Sequence, residues 1–474
     1  MRKIYLQTKT NHQLLWDLLD GQITHVQYQQ KSAYQIGDMV MGVVQQIDER
    51  IQACFVDIGL SDLAYLPLSS IDRESRIFRG QALLLQVKRL SGKGKSMTLS
   101  PQVELKNPYM IYLPGESVIK YSNKLNEDDY LRVKHHLEEV VAPDEGVIVR
   151  TRAKNATKEQ LHQAFFNLKT TWERIERFRA KGYKGFVDRT QDRMYQYLSR
   201  LKPEEVDEVV CDDLTTTQHL KESNPQLNEV IHYDRRFAIH KPFSFERTGE
   251  MLTSRKVKLA SGASITIDRA EALTAIDIDT GSYRGNKSKE EAVKEINLEA
   301  AKECARQLRI RELSGAIIID FLNVKSKHHQ HDIIKVFKQE ATVDDVPVHI
   351  AGFTNLGMLE VTRKRMYQDA YQFFGMQDRC MQWANNHYQA KLEEDLLTYE
   401  ASIVEYLQVK VRSDDYHSYK KYIKELNEQH QFHFDCYLTQ DSSLQAPYQL
   451  FKIGEVAWLL NRMKEEGNHV DKLF

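Results

Sequence analysis

Apolar and polar positions along residues 271–320 change rhythm three times, and the changes predict strand, loop, helix and strand in turn. Ala275, Ile276 and Ile278 form a short apolar run that meets Asp277 and Asp279. Ala292, Ile296, Ala300, Cys304 and Leu308 recur every four residues, the spacing of one buried helical face. Gly315 closes the helical region, and 316–319 reads as a fully buried strand ending on Asp320. Between residues 37 and 105 the pattern gives five short strands: 40–44, 53–59, 64–68, 83–87 and 97–99. Turn signals separate them, as in an OB-type barrel. Residues 1–36 read as two or three strands with a turn at Asp20-Gly21, too short to stand alone. Residues 106–185 hold an amphipathic helix in LNEDDYLRVKHHLEEVV, a strand at GVIVRT, and a helix from Thr157 toward Arg179.

Composition narrows the class. The chain has 474 residues, 41% hydrophobic and 28% charged. That allows roughly three domains and a soluble globular protein with a real core. Its net charge of −1 excludes a globally basic nucleic-acid binder, so any such site is a local patch. Cys54, Cys211, Cys304, Cys380 and Cys436 are scattered, which suggests reduced thiols and a cytoplasmic protein. The N-terminus has no apolar stretch of a signal peptide, and no apolar run is long enough for a membrane span.

Two acids at the ends of strands joined by a crossover helix can be neighbours in one sheet. Close carboxylates repel unless a cation lies between them. Magnesium accepts a few hard oxygen ligands and leaves room for water and phosphate. Asp277 and Asp320 therefore point to phosphodiester chemistry, or else are unrelated strand-end turn residues. A calcium loop is excluded, because its glycine and glutamate positions hold Ser282 and Ser288. His328, His329 and His331 do not share a helix face, and read as a solvated helix start rather than a zinc site. Phe55 and Tyr65 are either core aromatics or exposed stacking platforms. The cationic stretch from Lys88 and Arg89 to Lys95 lacks any acid and suits phosphate contact.

EALTAIDID, NLEAA, ARQLR and the run ending Asp320-Phe321 together resemble the catalytic core of the bacterial ribonuclease E/G family, and the likeness runs over residues 1–366. The resemblance implies a magnesium-dependent endoribonuclease that cuts single-stranded RNA, leaving 5′-phosphate and 3′-hydroxyl ends, in RNA processing or decay. Asp277 and Asp320 match the metal-holding aspartates, with manganese as a substitute ion. Asp279 stands where the family usually has an asparagine, and adds a third carboxylate to the catalytic set. The G-D-x-V-x-G-x-V, F-V-D-I-G and Y-L-P-L segments are similar to the RNA-binding S1-type barrel. Phe55 and Tyr65 match its aromatic RNA contacts, and Lys95 a lysine near the cut RNA. Arg363, in NLGMLEVTRKRM, matches an arginine near the active site. Arg150 and Thr151 match a pocket for the RNA 5′ end. The glycines that follow in the family are replaced by 152–156, so weak preference for a 5′-monophosphate is expected.

The implied fold is α/β in the α+β multidomain sense. Residues 1–36 and 186–252 would form a ribonuclease H-like subdomain without metal acids. The S1-type OB-fold barrel (37–105), a 5′-sensor-like region (106–185), a deoxyribonuclease I-like catalytic subdomain (253–366) and a linker with a small C-terminal domain (367–474) complete it. The family's paired-cysteine zinc link is reduced to Cys380. No zinc is expected, and a homo-oligomer would have to form without it. Single-stranded RNA, ribosomal RNA precursors and the ribosome are the implied partners. A non-catalytic RNA- or ribosome-binding protein with a drifted metal site is the alternative.

Overall fold

The computed structural model describes all residues except 32–33, 72–75, 92–95, 144, 180–183, 190–191, 284–287, 325, 345, 378–381, 403 and 454–469. The chain forms two units. One comprises Met1–Lys31, Val206–His219 and Glu229–Phe474; the other comprises Ser32–Glu205 and Leu220–Asn228.

In the second unit, strands Met39–Asp48, Ala53–Asp57, Ala64–Pro67, Thr98–Ser100 and Ala82–Arg89 pair in that order, and the last closes on the first. This is the small five-stranded barrel. Its core is built by alternation: Cys54, Val56, Ala64 and Leu66 point inward and are buried. Phe55 and Tyr65, the residues between them, are half-buried on the outer surface. A further four-stranded sheet follows, with helices Glu127–Glu138 and Lys158–Arg179 near it in sequence. Phe165 and Leu161 of the longer helix share a core with Val147 and Val149.

In the first unit, residues 2–30 contribute an antiparallel three-stranded meander, whose first strand pairs in parallel with Glu208–Cys211 and through it with Ile231–Tyr233. Near the end of the chain, Tyr406–Val411 and Asp435–Gln440 pair in parallel around Tyr416–His430, flanked by two antiparallel strands.

The sheet that matters most lies between these. Its strands are β1 (Lys256–Lys258), β2 (Ser264–Arg269), β3 (Leu273–Asp279), β4 (Gly315–Asp320), β5 (Val348–Phe353) and β6 (Met358–Arg363), in the spatial order β1-β2-β3-β4-β6-β5. Helix α1 (Lys289–Ile310) carries the chain from β3 to its parallel neighbour β4, and α2 (Lys327–Ala341) follows β4. Ile276, Ile278, Ile317, Ile319, Leu359 and Val361 form one core with Ile296, Ala300, Cys304 and Leu308 of α1 and Ile333 and Phe337 of α2. Both helices therefore cover one face. β4 departs from the expected fully buried strand: Ala316 is exposed and Ile318 only half-buried, because the opposite face is open. The helix also ends before Gly315. Glu312 takes a left-handed φ of 54°, and Gly315, at φ 93°, starts the strand.

Candidate active site

β3 alternates strictly. Thr274, Ile276 and Ile278 face the helices, while Ala275, Asp277 and Asp279 stand on the open face. Asp277 and Asp320 are register partners across the parallel β3–β4 pair. Adjacent strands lie about 4.8 Å apart, so the two carboxylates emerge side by side. Among the described residues, neither makes a hydrogen bond or ion pair within the protein. Asp279 extends from the same face, and its carboxylate accepts the Gly281 N–H at 3.1 Å. Glu360 of β6 also faces out, one strand beyond β4 and opposite Ile318. Sequence reading passed over it, although Leu359 and Val361 on either side give the alternation that turns it outward.

Two supports fix the ends of these strands. Asn297, fully buried on α1, donates to the Leu322 carbonyl at 2.8 Å and accepts the Leu322 N–H at 3.0 Å. It clamps the backbone two residues past Asp320. Asn297 begins the NLEAA segment, yet nothing in the sequence gave this role: a lone polar residue on a helix gives no such signal. After β3, Gly281 and Gly262 let two loops touch. A Cβ on Gly262 would meet the Ser282 carbonyl at 2.7 Å, and one on Gly281 the Gly262 carbonyl at 2.8 Å. The Ser282 N–H then donates to the Gly262 carbonyl at 3.0 Å. Helix α1 opens with a capping box between Ser288 and Glu291, which sets where the crossover begins.

The donor set suits magnesium. The ion takes one or two carboxylates and completes its shell with water and substrate phosphate. Asp277 and Asp320 offer that pair on a solvent-open face. Among the described residues, no three histidine, cysteine, aspartate or glutamate side chains are grouped to cage a metal alone. His328 and His331 are exposed at the start of α2, with His329 half-buried beside them. Cys54, Cys211, Cys304 and Cys436 are buried thiols, and burial pushes Cys211 up to about 11 and Cys436 up to about 12. Cys380 lies outside the described residues.

Arg363 belongs elsewhere than expected. It pairs in register with Gly315, five residues from the Asp320 level, or about 17 Å along the strand. It lies on the covered face, 2% exposed, bonded to Glu312 at 2.8 Å and Asp344 at 2.7 Å. Burial opposes its charge and the two carboxylates more than offset that, so its pKa is raised. A guanidinium committed in this way braces the sheet end.

On the barrel, Phe55 and Tyr65 are cross-strand partners with ring centroids 6.4 Å apart. The register continues from Tyr65 to Thr98 and from Thr98 to Arg89, whose side chain is exposed. Two aromatics and a cation thus share one row across the outer surface. Lys88 turns instead to Gln86 at 3.0 Å and Glu104 at 3.4 Å. Lys95 lies outside the described residues. Arg150 donates to the Asn107 carbonyl at 2.9 Å, and the hydroxyls of Thr151 and Ser122 are 2.8 Å apart.

A sequence model of the Ribonuclease E/G family matches residues 104–366, more than half of the chain. Ribonuclease G of Escherichia coli is 29% identical over 355 residues, covering 70% of this chain and 73% of that protein. Ribonuclease G of Haemophilus influenzae is 26% identical over 370 residues, covering 72% and 74%. Ribonuclease E of Synechocystis is 28% identical over 362 residues, covering 72% of this chain and 54% of that longer protein. The matched region contains β1 to β6, both helices that cover them and the Asp277–Asp320 pair, and on that match the chain belongs to the ribonuclease E/G family.

Proposed function

We propose that this protein is an endoribonuclease of RNA processing or decay. It cuts single-stranded RNA hydrolytically at Asp277 and Asp320 and leaves 5′-phosphate and 3′-hydroxyl ends. The observation that carries this reading is the register pairing of two carboxylates that have no partner among the described residues, on an open sheet face. Family membership and the ribonuclease names of the relatives support it. Asp277 and Asp320 would hold magnesium, or manganese in its place. When bound, the ion supplies Lewis-acid polarisation of the scissile phosphate. The chain's own groups do the rest. Asp279 flanks the pair, and Asn297 keeps Asp320 in place through the Leu322 backbone. Phe55 and Tyr65 offer faces for bases, and Arg89 a charge for the phosphate backbone. Arg150 and Thr151 supply a fork and a hydroxyl for a 5′ end. Without glycines to fold around the phosphate, they should favour monophosphate over hydroxyl ends only a few-fold, or roughly 1 kcal/mol.

The test is an end-labelled single-stranded RNA incubated with purified protein, with magnesium or with chelator. Wild type should cut only with the metal. Asp277→Asn and Asp320→Asn should lose at least a hundredfold in rate and still bind RNA. Cleavage within about tenfold of wild type, about 1.4 kcal/mol of barrier, refutes the assignment. Binding without any metal-dependent cutting would show the non-catalytic alternative.

A further inference from the structure

The parallel strands Arg2–Gln7, Glu208–Cys211 and Ile231–Tyr233 end at a cavity of about 550 Å3. Its opposite wall is the helix Asn385–Ala401, with His430 and His433 beside it. Crevices outside the carboxyl ends of parallel strands are where α/β sheets take ligands, and this volume suits one small molecule. None of the residues lining it belongs to the Asp277–Asp320 face.

The cavity is lined by four acids, Asp212, Asp234, Glu394 and Glu400, and four basic residues, Lys9, Arg235, Arg236 and Lys241, and they differ in how they are held. Every acid there is already bonded. Asp212 accepts the Thr8 N–H at 2.7 Å and the Thr8 hydroxyl at 2.9 Å. Asp234 meets His240 and the Arg236 N–H, each at 2.8 Å. Glu394 pairs with Lys241 and accepts the Phe245 N–H at 2.9 Å. Glu400 meets the His433 ring at 2.6 Å. Lys9, Arg235 and Arg236 are among the residues that line the same cavity, they are exposed, and their side chains have no acidic partner among the described residues. Exposed cations without an acidic partner leave donors for an anion, and arginines favour phosphate. Tyr233, 42% exposed, and Leu397 add an aromatic and an aliphatic surface to the wall.

We propose that this cavity binds a nucleoside phosphate, with the phosphate on Lys9, Arg235 and Arg236 and the base against Tyr233 and Leu397. A free nucleotide and the terminal nucleotide of an RNA present the same chemistry. Calorimetry on the full chain separates them, using ADP, inorganic phosphate and a 5′-phosphorylated 2′-O-methyl RNA hexamer that resists cutting. ADP, the hexamer or both should saturate one site, more tightly than inorganic phosphate. That affinity should fall at least tenfold in Arg235→Ala/Arg236→Ala and in Leu397→Trp, which fills the hollow. Circular dichroism shows that each variant is folded. Absence of saturable binding by both ADP and the hexamer at millimolar concentration overturns the proposal. So does affinity unchanged in Arg235→Ala/Arg236→Ala, and phosphate binding as tightly as ADP overturns the base contact. Binding is read without turnover, so failure of the catalytic reading would leave this result standing.

Discussion

Asn297→Ala tests whether the clamp behind Asp320 serves catalysis or only stability. The side chain is fully buried and makes both of its hydrogen bonds to one residue, Leu322. Each bond is worth about 1 kcal/mol net, and groups left unpaired in a buried setting cost about 1–3 kcal/mol more. Removing both should destabilise the protein by about 2–4 kcal/mol. The catalytic effect is separable. Leu322 is two residues from Asp320, and a shift near 1 Å in a reacting group can cost about a hundredfold in rate. The expected result, measured well below the unfolding transition, is a kcat about 10- to 100-fold lower with KM nearly unchanged. The magnesium concentration for half-maximal rate should rise as well. Steady-state cleavage of a fluorogenic single strand over a magnesium series reads all three. If the variant loses stability but keeps kcat within twofold and an unaltered magnesium response, the clamp braces the fold and has no hold on Asp320.

Other outcomes follow from individual side chains. Phe55→Ala should weaken single-strand binding by about 1–3 kcal/mol in fluorescence anisotropy. Because Phe55 lies outside the barrel core, its melting temperature should hardly move, and a large fall would return the residue to the core. Arg89→Ala should weaken binding mainly at low salt and reduce the salt slope by about one. Arg363→Ala strands Glu312 and Asp344 without their cation and should cost about 3–5 kcal/mol in urea denaturation, and unchanged stability would contradict the buried ion pairs. Burial lowers His387 from 6.5 to about 4. The unfolded chain therefore takes up its proton first. Stability is full above pH 6.5 and falls toward pH 4, by at most about 3 kcal/mol at 1.36 kcal/mol per unit. Urea midpoints across that range should show a shallower loss in His387→Leu, and parallel curves would refute it.

The sequence by itself determined the local elements and the kind of chemistry. The four-residue apolar spacing marked α1 because a helix turns every 3.6 residues and must hide one stripe. The five apolar runs of residues 37–105 became the barrel strands for the analogous reason at period two. Asp277 and Asp320 could be picked out because two acids at the ends of strands joined by a crossover helix can be neighbours in one sheet. Tertiary structure decided what pairs with what. Only the β3–β4 register puts those two carboxylates side by side, and only the one-sided packing of α1 and α2 leaves their face open. The antiparallel β4–β6 register sent Arg363 to the far end of the sheet, and the alternation of β6 turned it inward to Glu312 and Asp344. The same pairing brought in Glu360, and the packing of the crossover helix α1 delivered Asn297 to Leu322. Periodicity is a property of neighbours in sequence, so it can be read one element at a time. Register, facing and long-range hydrogen bonds are set by the joint packing of many elements, and no single segment carries them.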